Sequence, residues 1–438
     1  MTTTRRLGLP LAALGAVVGL LISQQPLLTL LGILSILIGL VCTARPKLLI
    51  SLMFSGILFD RLGETGVSFD AFPITTSKLT VLASIAAWGA HVLLSRTRPL
   101  LWHPVLTAMS AMVLVTAVQL VLTDTMNVGK FNLAAGGMMT ILVALTYTIL
   151  ASRPLQPLYR YMGALFLGAM VLTVVATRIS TGRSSGTMGD PNEWATIVLL
   201  LTPILLGGLV DDTRPVYRLV RMALLLLAPL VILMSMSRTA LAVGLLITPA
   251  CVLLFRERRR ELGTCLAAAL AGTPLVVDLE QMLFRVRQLI ENLKGGAVIE
   301  DVSLTERRLL LEQGLQVFRD HWLLGAGPGN GPIASGYTSL TGRLRPVHNS
   351  YLEVASEQGI IGLLFMSMFL GAVVWTMYTG LRRSPRGVHQ NRIIGLIAGM
   401  AALALMASTL GLLTFAMAYL MLGFGLAVVH HAEVRADA

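Results

Sequence analysis

Long apolar runs recur along this chain from end to end, and they limit the fold to one class. They cover residues 7–23, 27–43, 48–59, 79–95, 101–122, 131–151, 160–177, 193–210, 218–236, 239–255, 262–278, 359–381, 393–410 and 412–429. A helix needs about 17–25 apolar residues to cross a bilayer. Only helices and closed barrels satisfy their backbone groups in lipid, and these continuous runs lack the alternation of barrel strands. We therefore predict an all-α, polytopic helical membrane protein with about 12–14 transmembrane helices, because short or closely spaced runs can merge.

The composition agrees with a membrane protein and argues against other classes. The 438 residues are 55% hydrophobic and 13% charged, whereas a soluble domain carries about 25% charge. The net charge of +12 comes mostly from short loops between the runs, so the positive-inside rule explains it better than nucleic-acid binding. The three cysteines, Cys42, Cys251 and Cys265, lie in apolar runs without a CxxC pair, which indicates packing rather than metal or redox chemistry.

The basic residues fall in alternate loops, which predicts the orientation of the chain. Both termini are expected in the cytoplasm. The opposite segments, expected outside the cytoplasm, are 60–78, 123–130, 178–192, 235–239 and 279–358. The last is too long for a simple connection, and loops of such length are usually functional or disordered. The predicted divisions are transmembrane helices in 1–278, a large periplasmic loop with short helices and the candidate functional residues in 279–358, and transmembrane helices with a cytoplasmic tail in 359–438.

The long loop contains two predicted helices. Residues 281–294 have helical apolar spacing with a cationic face, typical of a helix on the membrane surface. Ser303 to Glu306 resembles a capping box, which predicts a helix from there to about Asp320 with Arg307 and Arg308 in its first turn. Two guanidinium groups at a helix N-terminus form a good anion site. The alternative is that they pair with Glu306 or Glu312.

Next along the loop come a glycine-rich segment and a histidine. The segment Gly325 to Gly331, which includes Gly327 and Asn330, permits close backbone approach to a ligand, but it lacks the lysine of a P-loop. His348 and Asn349 precede the next run by about ten residues. A neutral imidazole at this position can accept a proton from an attacking hydroxyl near neutral pH.

Further candidates lie in two shorter outward loops. Arg238 separates two apolar runs in the sequence SMSRT, where it can bind a phosphate with two parallel hydrogen bonds or simply anchor to lipid headgroups. Arg178 and Arg183 lie in the outward loop that leads to Asp190. Asp190 and Asn192 either contact sugar hydroxyls or cap the next helix, and we favour the cap.

Three of these motifs together resemble the O-antigen ligase and Wzy-type polymerase superfamily. His348-Asn349, nine residues, and then Gly359-Ile-Ile-Gly362 is similar to the ligase signature, although Leu363 follows where Thr, Ser or Trp is frequent. The segment RDHWLLGAGPGN resembles the family's sequence before that histidine, with Trp322 where proline is common. The turn SMSRTA resembles the family's Ser-Arg motif. The resemblance covers roughly residues 180 to 365.

The resemblance implies a metal-independent, cofactor-free GT-C glycosyltransferase of the bacterial inner membrane. Its donor would be a glycan on undecaprenyl diphosphate, and its acceptor lipid A-core or a growing glycan. Position by position, Arg238 and Arg307 match the family's essential arginines and His348 its essential histidine, with Arg308 as the fallback for Arg307. The additional substrate-binding candidates are Arg308, Arg178, Arg183, Asn349, Gly327 and Asn330.

Other functions remain open from the sequence alone. The same superfamily contains O-antigen or exopolysaccharide polymerases and enzymes that transfer glycans to protein. A flippase for lipid-linked oligosaccharides is the alternative of a different class. A transporter should bury charges along a path at mid-membrane depth, whereas here the charges gather at one face.

Overall fold

The computed structural model describes a bundle of helices. The described residues are 47–60, 68–69, 72–73, 76–95, 100–179, 185–188, 190–255, 258–276, 302–336 and 345–436. The predicted runs 7–23 and 27–43, the predicted surface helix 281–294, Cys42 and Arg183 lie outside them. Arg178 lies on a described helix, but its side chain is outside the description.

Fourteen helices and one small hairpin make up the described part of the chain. Helices α1 to α14 are, in order, Lys47–Leu58, Thr76–Ser95, Pro104–Leu122, Met126–Ala151, Gln156–Ile179, Pro191–Leu209, Pro215–Ser235, Arg238–Leu254, Arg259–Val276, Val302–Asp320, Gly331–Ser335, Ser350–Arg383, Val388–Ala407 and Ala416–Ala436. Strands β1 (Ser68–Phe69) and β2 (Phe72–Pro73) pair antiparallel between α1 and α2.

The helices confirm the predicted polytopic all-α membrane fold. Eight of the described helices are long and apolar enough to cross a bilayer, and three shorter apolar helices, α1, α2 and α8, accompany them. Every predicted run within the described residues overlaps one helix. Cys251 and Cys265 are free and buried, as expected for packing residues.

Two predicted helix boundaries were wrong, and both differences concern the long loop. Helix α12 begins at Ser350, nine residues before the predicted run at 359, so the segment after His348 is helical rather than loop. Helix α10 begins at Val302 instead of after Ser303, although it ends at Asp320 as predicted. Arg307 and Arg308 therefore lie in the second turn, beyond the free N–H groups of the first turn.

Helix α6 forms the centre of the bundle and is buried along nearly its whole length. It packs closely against α13, because glycines stand where the two backbones meet. A Cβ atom on Gly395 would collide with the carbonyl oxygen of Pro203, and one on Gly399 with that of Leu200. Small residues at such crossings are how membrane helices gain close van der Waals contact.

The connections between antiparallel helices collect at two ends of the bundle. At one end, which we call the basic end, Arg160 Nε donates to Asp212 Oδ2 at 2.7 Å and Asn391 Nδ2 donates to Asp211 Oδ2 at 3.0 Å. The connections 152–155, 210–214 and 384–387 lie here. The opposite end, which we call the site end, contains the connections 123–125, 236–237 and 408–415, and the N-termini of α6 and α12.

The site end is held together by hydrogen bonds between helices far apart in sequence. Ser350 Oγ donates to the carbonyl oxygen of Leu410 and accepts from the N–H of Leu412, both at 2.8 Å. This pins the start of α12 to the connection between α13 and α14. The residues just before α12, including His348, are thereby fixed at the site end.

Candidate active site

His348 lies two residues before α12 and is partly buried. Burial lowers the pKa of its imidazole below the ordinary value of 6.5, and the positive charges of Arg307 and then Arg345 lower this pKa further. The carboxylates of Glu306 and Asp190 act in the opposite direction. At neutral pH the ring is therefore uncharged and able to accept a proton.

Helix α10 positions Arg307 beside His348. The helix packs on the start of α12 and on the segment before it through Gly314, where a Cβ atom would come 2.9 Å from Val347 and 3.0 Å from Leu352. Phe318 packs on the same cluster. Arg307, Gly314 and Phe318 share one face of the helix because they are seven and four residues apart.

Arg308 points away from this face. Its Nε donates to Glu312 Oε1 at 2.9 Å, and 81% of its side chain is exposed. Arg307 is partly buried and acts on His348. The alternative of ion pairing that the sequence left open thus holds for Arg308 with Glu312. Glu306 is 4.0 Å from Arg345 instead.

Arg238 is the first residue of α8, after a sharp turn at the end of α7. Met236 takes a left-handed conformation at φ 54°, and Ser237 caps α8 by accepting from the N–H of Ala240 at 3.4 Å. The turn lies at the site end, because α7 runs antiparallel to α6 and α6 begins at that end. Arg238 is partly buried. A guanidinium beside the free N–H groups of a helix N-terminus favours an anion.

Asn349, the second residue of the predicted signature, caps α12. Its Oδ1 accepts from the N–H groups of Tyr351 at 3.0 Å and Leu352 at 3.1 Å. The cap explains why the helix begins directly after His348. The side-chain oxygen of Asn349 is thus used by the helix cap, and contact of Asn349 with a substrate stays a prediction.

The glycine-rich segment packs on α12. The N–H groups of Ala326 and Gly327 donate to the carbonyl oxygens of Ser356 and Glu357 at 2.8 and 3.0 Å. Asn330 Nδ2 donates to the carbonyl oxygen of Ala326 at 2.8 Å. These bonds give Gly327 and Asn330 a role within the loop, and ligand binding by them stays a prediction.

The signature glycine Gly359 forms a kink in α12. Its backbone is at φ 63° and ψ −159°, a conformation that is essentially restricted to glycine. The N–H of Ile360 is thereby free to donate to the carbonyl oxygen of Trp322 at 2.8 Å. The glycine-rich segment fits into this kink, so the two sequence motifs are parts of one structural unit.

Asp190 caps α6, as favoured from the sequence. Its Oδ1 accepts from the N–H groups of Asn192 at 2.7 Å and Glu193 at 3.2 Å. It also acts electrostatically on His348, which places the start of α6 beside the histidine. Arg183 lies outside the described residues, and the side chain of Arg178 is not described, so both stay predictions.

Sequence reasoning missed three charged neighbours of the site. Arg345 lies three residues before His348, and its basic character within the loop was the available signal. On α12, Glu357 is buried and Glu353, one turn before it, is partly buried. Two carboxylates so close to a predicted membrane run were a signal, because buried charges in such segments are usually functional.

The described residues contain no group of three or more His, Cys, Asp or Glu side chains placed to hold a metal ion. Residues 222–367 match the family model described as O-antigen ligase. This range contains Arg238, Arg307, the glycine-rich segment and His348. The search of curated proteins returned no match. The family match confirms the resemblance to the O-antigen ligase and Wzy superfamily, whose members are glycosyltransferase-like ligases and polymerases.

Proposed function

From the match of residues 222–367 to the O-antigen ligase family, we propose that this protein is a ligase-type glycosyltransferase. It moves a glycan from undecaprenyl diphosphate to a hydroxyl of lipid A-core. The observation that carries the proposal is that Arg307 lies close enough to His348 to act on it electrostatically, at one end of a bundle of membrane helices. Burial and two neighbouring cations keep the imidazole neutral there.

The reaction is a direct displacement at the anomeric carbon of the donor. The acceptor oxygen forms a bond to that carbon while the bond from the carbon to the phosphate oxygen breaks. Nδ1 or Nε2 of His348 takes the proton of the acceptor hydroxyl. Negative charge grows on the departing diphosphate, and Arg307 and Arg238 stabilise it.

The membrane orientation follows from the charges. Loops rich in arginine face the cytoplasm in membrane proteins. The basic end would then face the cytoplasm and the site end the periplasm, where the lipid-linked glycan is presented in the implied pathway. Both termini of the chain would be cytoplasmic.

A polymerase is the second candidate, because the matched family includes both activities. The two enzymes share the donor and differ in the acceptor, which is lipid A-core for a ligase and another glycan for a polymerase. The spacing between His348 and Gly359 favours the ligase.

Transfer by the purified protein is the direct test. The full chain in lipid nanodiscs is supplied with a glycan on undecaprenyl diphosphate and with lipid A-core, and the product is followed by gel mobility. We expect transfer by the wild type, none by His348→Ala, and unchanged transfer by His321→Ala, an exposed histidine at the end of α10. Transfer by His348→Ala, or no transfer by a wild type that binds the donor, contradicts the proposal.

A deletion strain separates the two acceptors. Loss of a ligase leaves core without O-chain while polymer accumulates on the carrier lipid. Loss of a polymerase leaves lipopolysaccharide with one repeat unit. Movement of the lipid-linked glycan across liposomes without transfer would indicate a flippase instead.

A further inference from the structure

Two adjoining cavities enter the bundle from the site end. The larger has a volume of about 680 Å³ and the smaller about 130 Å³. Asn132, Met139 and Thr414 line both of them, so the two share a wall. The larger cavity is of the size that holds a small ligand or a few sugar rings.

The larger cavity includes the start of α6, which also acts on His348. Glu193 lines this cavity and lies three residues after Asp190. Asp190 caps the same helix and acts electrostatically on His348. The start of α6 is therefore common to the cavity wall and to the surroundings of the imidazole.

Glu353 lines the smaller cavity and is partly buried. Its Oε2 is 3.2 Å from the place where a Cβ atom on Gly411 would stand, and Gly411 lines the larger cavity. Within the described residues, no hydrogen bond or ion pair of the Glu353 side chain is found. Its neighbour Glu357 differs, since Glu357 accepts from the N–H of Gly329 at 2.7 Å. The carboxyl of Glu353 thus lines the cavity without a hydrogen-bond partner among the described residues, and it can accept hydrogen bonds from whatever fills that space.

The cavity lining has the chemistry of a site for hydroxyl groups. Its polar side chains are carboxyl, amide, hydroxyl and phenol groups, and no described residue that lines either cavity is a lysine or arginine. The carboxyl groups belong to Asp60 and Glu193 in the larger cavity and to Glu353 and Glu357 in the smaller, and the amide of Asn132 lies in their shared wall. A diphosphate is disfavoured among acidic groups, whereas sugar hydroxyls donate to carboxyl oxygens in either protonation state.

We propose that these two cavities bind the glycan of the acceptor and that Glu353 positions it through hydrogen bonds to sugar hydroxyls. The donor carries the diphosphate and is held by the arginines around His348, so charge separates the two substrates. The imidazole lies between them and receives the proton of the acceptor hydroxyl. This inference rests on the proposed glycosyl transfer and assigns the acceptor side of that reaction.

Steady-state kinetics of Glu353 variants test the assignment. Glu353→Leu replaces the carboxyl by an apolar group of similar volume and is expected to fold, since a carboxyl without a hydrogen-bond partner among the described residues does not stabilise the native state. We expect its KM for lipid A-core to rise at least tenfold, its KM for the donor to stay unchanged, and Glu353→Gln to recover most of the loss. Glu433→Gln at the basic end is the matched control. A rise of the donor KM, or an unchanged acceptor KM, overturns the proposal.

Cysteine protection provides a readout that does not need catalysis. In a chain whose three cysteines are replaced by alanine, Thr414→Cys places a thiol at an exposed position of the shared wall. We expect lipid A-core alone to slow its reaction with a maleimide, and the lipid-linked donor alone to leave the rate unchanged. Protection by the donor alone, or by neither substrate, contradicts acceptor binding here. Failure of transfer in the wild type, with protection by lipid A-core retained, would instead refute only the proposed reaction.

Discussion

Glu357 Oε2 accepts a hydrogen bond from the N–H of Gly329 at 2.7 Å, across 28 residues of sequence. Glu357 is buried on α12, and Gly329 lies in the glycine-rich segment at φ 75°. The carboxylate therefore fixes the segment that joins α10 to the rest of the site. Since α10 carries Arg307, this bond helps to hold the arginine relative to His348.

Glu357→Ala should destabilise the protein. It leaves the N–H of Gly329 without its acceptor, and an unsatisfied buried donor costs about 1–3 kcal/mol. Thermal unfolding in detergent, followed by tryptophan fluorescence, measures the effect. Glu312→Ala on the exposed face of α10 is the control and should leave the midpoint within error. An equal midpoint for both variants would show that the bond contributes nothing.

Gly359→Ala should destabilise the protein, although the substitution adds only one methyl group. Alanine at φ 63° and ψ −159° is strained, which costs about 1–3 kcal/mol, and its Cβ would collide with the carbonyl oxygen of Leu323. We expect a lower yield of monodisperse protein by size-exclusion chromatography.

Gly371→Ala is the matched substitution for that experiment. Gly371 lies on the same helix, and a Cβ atom there meets nothing within 4 Å. Alanine favours helix over glycine by about 1 kcal/mol, so this variant should be neutral or slightly stabilised. If both alanine variants behave alike, the kink at Gly359 is not required.

The membrane fold was predictable because run length depends only on local sequence. The lengths of the apolar runs predicted the helices, and the motif around His348 indicated the candidate residues. The start of α12 was missed, because Asn349 and Ser350 are polar and the helix extends beyond the apolar run. A capping interpretation of Asn349 would have found it.

The contacts that assemble the site could not be predicted in this way. Gln119 Nε2 donates to the carbonyl oxygen of Gln358 at 2.8 Å, and the two residues are 239 positions apart. No periodicity or local spacing encodes such a bond. The same holds for the effect of Asp190 on His348, because it depends on how α6 and α12 lie together.

The variants Arg307→Ala and Arg308→Ala should distinguish the roles of these two adjacent arginines in transfer. Arg307 lies on the face of α10 toward His348, whereas Arg308 pairs with Glu312 in solvent. Loss of one group that stabilises transition-state charge lowers kcat by about 10²–10³. We expect that loss for Arg307→Ala and nearly full transfer for Arg308→Ala. The reverse result would mean that the functional arginine is Arg308.

The pH dependence of transfer should depend on the charged groups around His348, because they set the pKa of its imidazole. The neutral imidazole is the active form, and its pKa lies below 6.5, so transfer should persist below pH 6.5 and decline as the pH falls through the lowered pKa. Arg345→Gln removes a positive charge that lowers this pKa. The pKa should then rise, and the acid limb of kcat/KM should move to higher pH.

Glu306→Gln should move the same limb in the opposite direction. The carboxylate of Glu306 favours the protonated imidazole, so its removal lowers the pKa of His348 and lets transfer persist to lower pH. Rates are compared at fixed donor and acceptor concentrations well below KM, where kcat/KM reports the free enzyme. Because the two substitutions break the same ion pair, a purely structural effect of losing it would shift both profiles alike. Opposite shifts identify His348 as the group whose proton controls the reaction, and parallel or absent shifts exclude it.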